Sequence, residues 1–285
     1  MDKRPPESSS QPKRRPSLVV TLAALAFVLV PFLFWEQTWY GRRLKGAEIA
    51  NYLQDTAHPR HIQHALIQMS EHMAAGDSAV RSWYPLMVDA ARNPAVEIRT
   101  TAAWVMGQDN ASDLLHGALV GMLHDPELLV RRNAALALVR FHDPAGRPEL
   151  LGMLAPYPLT APAAGVVSLL VRAGQEVDRR TVLARIVTPQ GRTIELMSPL
   201  RGRVDSLFQA GGSSVAANAP VVSLSTETDD VWEALRALYL IGQPADLASV
   251  EEYAHGVPGM PARIREQAEW TARAIQTRPA PSPTR

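Results

Sequence analysis

A 15-residue stretch of this chain recurs 32 residues later, and the recurrence limits the folds open to it. NPAVEIRTTAAWVMG, beginning at Asn93, aligns with DPELLVRRNAALALV, beginning at Asp125, and the central part recurs from Ile264. The aligned positions hold a β-branched residue and arginine, then alanine, then a bulky apolar residue: Ile98, Arg99, Ala102 and Trp104; Val130, Arg131, Ala134 and Leu136; Ile264, Arg265, Ala268 and Trp270. This period predicts stacked helical hairpins that bury their apolar faces against one another.

The repeated Asp-Pro, Val-Arg and Ala pattern resembles HEAT repeats, particularly the HEAT-like repeats of the phycobilin lyase family. The resemblance implies an α-solenoid over residues 46–155 that resumes over residues 229–277. We expect Asn93 and Asp125 to cap helices that begin at the following proline. We interpret the repeated arginines as structural, each paired with the cap of its own or an adjacent repeat.

A second duplication, at an offset of 37 residues, lies between the two helical regions. Its first half holds Gly165, Val167, Leu170, Ala173 and Gly174, and its second half holds Gly202, Val204, Leu207, Ala210 and Gly211. Short alternating runs separated by glycine-containing turns predict a small β-structure of two equivalent halves. The sequence TPQG at residues 188–191 predicts a tight hairpin between the halves. Before the first half, the Pro-rich stretch APYPLTAPAAG is interpreted as a linker.

These halves, together with SPLRGRV from Ser198, resemble the biotinyl/lipoyl domain over residues 163–226. Such domains carry their prosthetic group on a hairpin lysine, whereas Gly191 stands at that position here. The resemblance therefore implies no cofactor. Similar lysine-free modules occur in periplasmic membrane-fusion adaptors, which implies binding to other proteins. Arg180 stands where the family has glycine, whereas Asn218 fills the equivalent turn, so we expect the first turn to differ in shape.

An uncharged apolar run predicts one transmembrane helix over residues 17–36. Its 19 residues from Ser17 to Trp35 would span about 28 Å, close to the hydrocarbon thickness of a bilayer. A cleaved signal peptide is the rival interpretation, but bulky aromatic residues follow the run instead of a cleavage site. The basic residues before the run outnumber those after it, which predicts a single-pass protein of the bacterial inner membrane with a cytoplasmic N-terminus and a periplasmic bulk.

The composition and motifs predict no enzyme. A net charge of +1 argues against nucleic-acid binding, and the absence of cysteine excludes thiolate chemistry. His61, His64, Gln68 and His72 would share one helical stripe, but without an acidic third ligand we interpret them as a solvated polar face. Trp104, Trp232 and Trp270 are interpreted as core residues. The sequence thus predicts no catalytic, cofactor-binding or metal-binding residue.

The expected fold is mainly α: a HEAT-like α-solenoid with an inserted lipoyl-like all-β barrel-sandwich module and one N-terminal transmembrane helix. Residues 1–16 and 278–285 are predicted to be disordered tails. The expected function is a membrane-anchored, non-catalytic scaffold or assembly subunit that binds protein partners of a membrane complex on the extracytoplasmic side. No nucleic acid and no small-molecule substrate are expected. An accessory or adaptor subunit of an export or efflux system is the alternative, and a tetrapyrrole-handling lyase or chaperone is a third.

Overall fold

A computed structural model of the protein describes residues 25–30 and 43–278. The chain divides into two compact units, residues 1–45 and 46–285. In the first unit, residues 25–30 are helical and are labelled α1. Both predicted tails lie outside the described residues, apart from Arg278. The rest of this section concerns the second unit.

The predicted transmembrane segment is corrected by the structure. Within residues 25–30 and 43–278, no helix combines the length and the apolar character that crossing a bilayer requires. The prediction of a transmembrane helix over 17–36 is therefore wrong for the part of the chain that is described, and so is the single-pass inner-membrane location derived from it. Residues 17–24 and 31–36 lie outside that part.

Within residues 46–278, ten helices lie on both sides of a strand segment. Before the strands these are α2 (Gly46–Gln54), α3 (Pro59–Ala74), α4 (Tyr84–Ala90), α5 (Val96–Met106), α6 (Asp113–Met122), α7 (Leu128–Val139) and α8 (Arg147–Gly152). After them come α9 (Thr228–Ile241), α10 (Leu247–His255) and α11 (Ala262–Thr277). Short 3₁₀ helices cover Ser78–Trp83, Pro144–Gly146 and Pro244–Asp246.

The helices form two layers. The odd-numbered helices pack in series, α3 on α5, α5 on α7, α7 on α9 and α9 on α11. Each even-numbered helix from α2 to α10 packs against the odd-numbered helix that follows it. Since α7 packs directly on α9, the helical stack continues past the strands without a break.

One hydrophobic core joins the helices on either side of the strands. Leu150 and Leu154 lie in the same buried cluster as Val231, Leu238 and Ile275. The stripe that α9 contributes has helical spacing: Val231, Ala234, Leu235, Leu238 and Ile241 are all buried. Burial of this apolar surface drives the two parts together.

Buried polar contacts reinforce that junction. Arg147 forms a two-point ion pair with Asp246, at 2.9 Å from Nε and 2.5 Å from Nη2, and Asp246 is only 1% exposed. The Tyr253 hydroxyl donates to the Leu154 carbonyl at 2.8 Å. Arg132 donates to Asp230 at 2.6 Å, and burial lowers the pKa of Arg132 while that carboxylate opposes the shift. Each contact joins residues about 100 positions apart in the chain.

Asn93 and Asp125 accept backbone hydrogen bonds, as the sequence predicts, but the helices do not begin at the residues that follow them. Asn93 and Asp125 each accept a hydrogen bond from the amide two residues later, at 2.9 and 2.8 Å. The helices begin only after these local turns, at Val96 and Leu128 instead of at the prolines. Short side chains of this kind compete with the helix for nearby amides, which delays its start.

The structural interpretation of two repeated arginines is confirmed. Arg99 pairs with Asp125, the cap of the next repeat, with contacts of 2.7 and 2.9 Å. Arg131 donates to the backbone carbonyl of Asp125, the cap of its own repeat, at 2.9 Å and also pairs with Glu149 at 2.7 Å. Burial alone would raise the pKa of Asp125, but the hydrogen bonds from Arg99 and a backbone amide outweigh it, so that pKa lies below its usual value. The interpretation is wrong for Arg265, which is exposed and lies 3.8 Å from Glu269 of its own helix.

Eight strands lie between α8 and α9 and form two antiparallel sheets. They are β1 (Tyr157–Thr160), β2 (Gly165–Leu169), β3 (Glu176–Val177), β4 (Val182–Val187), β5 (Thr193–Met197), β6 (Gly202–Leu207), β7 (Ser214–Val215) and β8 (Pro220–Leu224). One sheet has the order β1-β8-β6-β3 and the other β5-β4-β2-β7. Replacing each strand by the one four places along the chain converts either order into the other. The two halves of the segment therefore share one topology.

The first strand lies inside the stretch interpreted as a linker. Tyr157–Thr160 pairs with β8, and Pro158 lies opposite Ser223. β1 is at the edge of its sheet, where a proline without an amide hydrogen removes no central ladder bond. A strand of four residues that contains proline gives only a weak sequence signal.

The turns that were expected to differ have the same backbone shape. Arg180 has φ of 68° and Asn218 has φ of 64°. The Arg180 amide donates to the Ser198 carbonyl and the Asn218 amide to the Ala161 carbonyl, each at 2.8 Å. The hydrogen bond to the opposite half holds Arg180 in a conformation that arginine disfavours.

The predicted fold class is wrong as stated. About 53% of the described residues are helical, but the strands form two separate four-stranded sheets, and an all-β barrel-sandwich is not shown. Among the described strands, no ladder joins the two sheets. Each sheet ends at a two-residue strand, β3 or β7, which offers too few backbone groups to continue the ladder.

Candidate functional site

A groove of about 1060 Å³ runs across α5, α7, α9 and α11. It is lined from α5 by Trp104, from α7 by Leu136 and the adjoining Arg140, from α9 by Arg236, Tyr239 and Leu240, and from α11 by Trp270 and Arg273. The groove therefore takes side chains from both sides of the strand segment. Its continuity depends on the packing of α7 against α9.

Close backbone packing shapes the floor of the groove. A Cβ atom added at Gly107 would lie 2.7 Å from the Cβ of Ala137, which is closer than real side chains come. Glycine at the end of α5 and alanine on α7 thus let the two helices approach. Larger residues at Gly107 or Ala137 would push α5 and α7 apart or fill the floor of the groove.

Two tryptophans at aligned repeat positions are exposed. Trp104 is 51% exposed and Trp270 is 54% exposed, whereas the aligned Leu136 is partly buried. The core interpretation is therefore wrong for Trp104 and Trp270. Trp232 packs partly against the core, with the Arg263 guanidinium 5.5 Å from its ring centre. The repeat alignment places Trp104 and Trp270 on helices but does not distinguish the buried face from the groove face.

Tyr239 and Leu240 add further exposed apolar surface. They are 45% and 50% exposed, and they follow Leu238, which is fully buried. Helical spacing assigns the core of α9 to other positions, so these two residues fall outside the apolar stripe. That departure from the stripe is the sequence signal by which this part of the groove could have been found.

The groove is positively charged. Arg140, Arg236 and Arg273 line it with a single acidic residue, Glu233, which gives a formal charge of +2. Glu233 lies 3.8 Å from Arg236, and Arg273 lies 3.6 Å from Glu269 outside the lining. Arg140 is exposed and forms no ion pair with any described residue. The arginines can donate hydrogen bonds to carboxylates of a bound molecule.

A second cluster lies between α2 and α3. Asp55, His58 and His61 place one carboxylate oxygen and two imidazole nitrogens within 4.8 Å of one another. The Nδ1 atoms of His58 and His61 lie 2.9 and 2.6 Å from Asp55 Oδ2. Hydrogen bonding from His61 lowers the pKa of Asp55, burial opposes that effect, and His58 lowers the pKa further.

The histidine stripe expected on α3 is divided among different environments. His64 and Gln68 are buried, at 9% and 6% exposure, so a solvated face is the wrong interpretation for them. His72 lies 2.8 Å from Asp77 at the end of the helix. The sequence missed Asp55 and His58 as neighbours of His61 because they precede α3 and lie outside its periodicity.

The hairpin between the two halves of the strand segment ends at Gly191. The Gly191 amide donates to the Thr188 carbonyl at 2.8 Å, and its φ of 78° suits glycine. The residue is exposed and has no amine to which a prosthetic group could be attached.

No protein-family model matches this chain, and no curated protein matches it significantly.

Proposed function

We propose that this chain is a non-catalytic, protein-binding scaffold whose groove holds an apolar, acidic segment of a partner protein. The observation that carries the proposal is the half-exposure of Trp104 and Trp270, which stand at aligned positions on α5 and α11 beside three arginines. Exposed aromatic side chains flanked by arginine are the composition that protein interfaces favour.

The apolar part of the groove accounts for affinity. Tyr239 and Leu240 lie on α9 among the same lining residues as the two tryptophans. Covering these side chains would remove apolar surface from water without unfolding anything, because each is already held on a packed helix. A partner segment with bulky apolar side chains would bury the most apolar surface and would therefore bind most tightly.

The charged part accounts for selectivity. A segment with at least two carboxylates would neutralise the formal charge of +2 in the groove, whereas a basic segment would be repelled by Arg140, Arg236 and Arg273. Arg140 has no carboxylate partner among the described residues. A carboxylate of the partner can therefore bind Arg140 without breaking an existing ion pair.

The dimensions suit a peptide. Neighbouring helix axes lie 8–10 Å apart in packed proteins, so the three steps from α5 to α11 span roughly 24–30 Å. An extended segment rises about 3.3 Å per residue, so roughly eight residues would reach from Trp104 to Trp270. Among the described residues, the groove's lining includes no histidine, serine or cysteine, and its single carboxylate, Glu233, lies 3.8 Å from Arg236, so binding is favoured over nucleophilic catalysis or a paired general acid and base.

Selection from a random dodecapeptide library tests the proposal. We expect the enriched peptides to combine aromatic or aliphatic residues with two or more carboxylates. Trp270→Ala should weaken the best peptide at least about 30-fold, the loss expected for a central aromatic contact of about 2 kcal/mol. Arg140→Gln should weaken it less and reduce its dependence on salt.

Phe208→Ala is the matched control, since Phe208 is a 49% exposed aromatic residue on the strand segment. It should bind the selected peptides as the unaltered chain does. Enrichment of basic peptides, or equal losses for Trp270→Ala and Phe208→Ala, would refute the groove as the binding site.

A further inference from the structure

Two consecutive turns bring Asp55, His58 and His61 to the same side of the chain. Asp55 follows α2, His58 precedes the proline that opens α3, and His61 lies in its first turn. The His58 amide donates to the Asp55 carbonyl at 3.2 Å, and the His61 amide to the His58 carbonyl at 2.8 Å. Backbone hydrogen bonds at a spacing of three residues therefore hold all three side chains together.

The side chain of His58 is turned toward Asp55 and not toward its own helix. His58 occupies the position that caps α3, but its side chain makes no capping hydrogen bond. Its Nδ1 atom lies 3.0 and 2.9 Å from the two carboxylate oxygens of Asp55. The ring of His61 is stacked on Tyr52, with centroids 4.3 Å apart, which fixes the direction of its Nδ1 atom.

This cluster differs from two other histidine-aspartate contacts in the described part of the chain. His72 contacts Asp77 at 2.8 Å and His116 contacts Asp143 at 2.7 Å, one imidazole to each carboxylate. Two imidazoles converge on Asp55, and among the described residues this is the group that offers three potential metal ligands together. A single structural hydrogen bond needs only one imidazole.

We propose that Asp55, His58 and His61 bind one divalent transition-metal ion of the Zn²⁺ class. Zinc binds imidazole nitrogen and carboxylate oxygen at about 2.0–2.2 Å, which places tetrahedral ligands roughly 3.3–3.5 Å from one another. The present separations of 2.6–3.0 Å between Nδ1 and carboxylate oxygen atoms need widen by less than about 1 Å. The ion takes the place of the shared protons.

The ligand chemistry selects the class of ion. Two imidazoles favour Zn²⁺, Ni²⁺ or Cu²⁺ over Mg²⁺ and Ca²⁺, which prefer oxygen ligands. The side chain of His58 is 65% exposed, so water can reach the fourth position. The bound ion links the end of α2 to the start of α3 and stiffens the first helical pair of the stack.

Calorimetric titration of chelator-treated, tag-free protein with Zn²⁺ tests the proposal. We expect one ion per chain, with proton release that appears as a dependence of the heat on the buffer. Co²⁺ should give the visible absorption of a tetrahedral site, and Mg²⁺ should give no saturable heat. His58→Gln and Asp55→Asn should each lower Zn²⁺ affinity by at least about tenfold.

His124→Gln is the control, because His124 is an exposed imidazole outside the cluster. It should bind Zn²⁺ with unchanged affinity, and circular dichroism should show that all variants remain folded. Absence of saturable Zn²⁺ binding by the unaltered chain would overturn the proposal. Equal weakening by His58→Gln and His124→Gln, or no weakening by either cluster variant, would overturn it as well.

Discussion

In the helical stack, residues aligned by the 32-residue repeat agree on the buried side of the helices and differ on the groove side. Ala102, Ala134 and Ala268 are all 0% exposed, whereas the positions two residues later are an exposed tryptophan, a partly buried leucine and a second exposed tryptophan. In the strand segment, by contrast, aligned residues agree in topology and even in turn shape. Aligned residues that share the same environment have structural roles. The helix face on which aligned residues differ is the surface available to a partner.

The largest expected effect is on the junction that makes the stack continuous. Asp246→Ala should lower the free energy of unfolding by about 3–5 kcal/mol, because it leaves Arg147 partly buried without its partner. Urea unfolding followed by circular dichroism measures the change. Asp229→Ala removes an exposed contact with Arg263 and should cost less than about 1 kcal/mol. Equal costs for the two variants would contradict the buried junction.

A pair of aligned glycines sharpens the comparison within the strand segment. A Cβ atom at Gly165 would lie 2.4 Å from the Val187 carbonyl oxygen, whereas at Gly202 the nearest atom would be 3.6 Å away. Gly165→Ala should therefore destabilise the protein by about 1–3 kcal/mol, while Gly202→Ala should change its stability by less than about 1 kcal/mol. Thermal unfolding of the two variants tests whether the two halves pack differently at these glycines although they share one topology. Similar shifts in Tm would show that the packing at the two positions is equivalent.

Substitution of the groove tryptophans Trp104 and Trp270 should weaken peptide binding but leave the stability of the fold nearly unchanged. Trp104→Ala and Trp270→Ala should each change the free energy of unfolding by less than about 1 kcal/mol, far below the 3–5 kcal/mol typical of a buried tryptophan. Chemical denaturation measures the difference. A large loss of stability in either variant would return that residue to the core.

The smallest effect concerns the two equivalent turns. Arg180→Gly should raise stability by roughly 0.5 kcal/mol, because relief of the unfavourable φ exceeds the added freedom of the unfolded chain. Asn218→Gly should gain less, since asparagine tolerates this conformation better. Differential scanning calorimetry distinguishes the two, and a larger gain at Asn218 would contradict the strain assigned to Arg180.

The sequence was informative where residues recur with the spacing of a regular element. The alanines at 102, 134 and 268 and the arginines at 99 and 131 have the structural roles that their repetition indicates. Repetition could not reveal β1, whose pairing with β8 depends on residues 60 or more positions away. It also could not separate the two faces of a helix around Trp104, because an apolar residue fits either face until its neighbours are known.

The two wrong predictions of the fold class have different causes. The transmembrane prediction rested on the apolar length of a single segment, and no described helix has both the length and the apolar character to span a bilayer. The barrel prediction followed from a resemblance of spacing, and spacing does not specify which strands pair. The strands pair as two separate sheets, each with a two-residue strand at one edge that offers few backbone groups for a further ladder.

The most direct test of the account is hydrogen-deuterium exchange of the full chain with and without a library-selected acidic peptide. A groove shared by helices before and after the strands predicts slower exchange in residues 128–140 and 228–241 together, with residues 165–224 unchanged. Slower exchange confined to the strand segment, or to helices on one side of it, would contradict a binding site formed by the continuous stack.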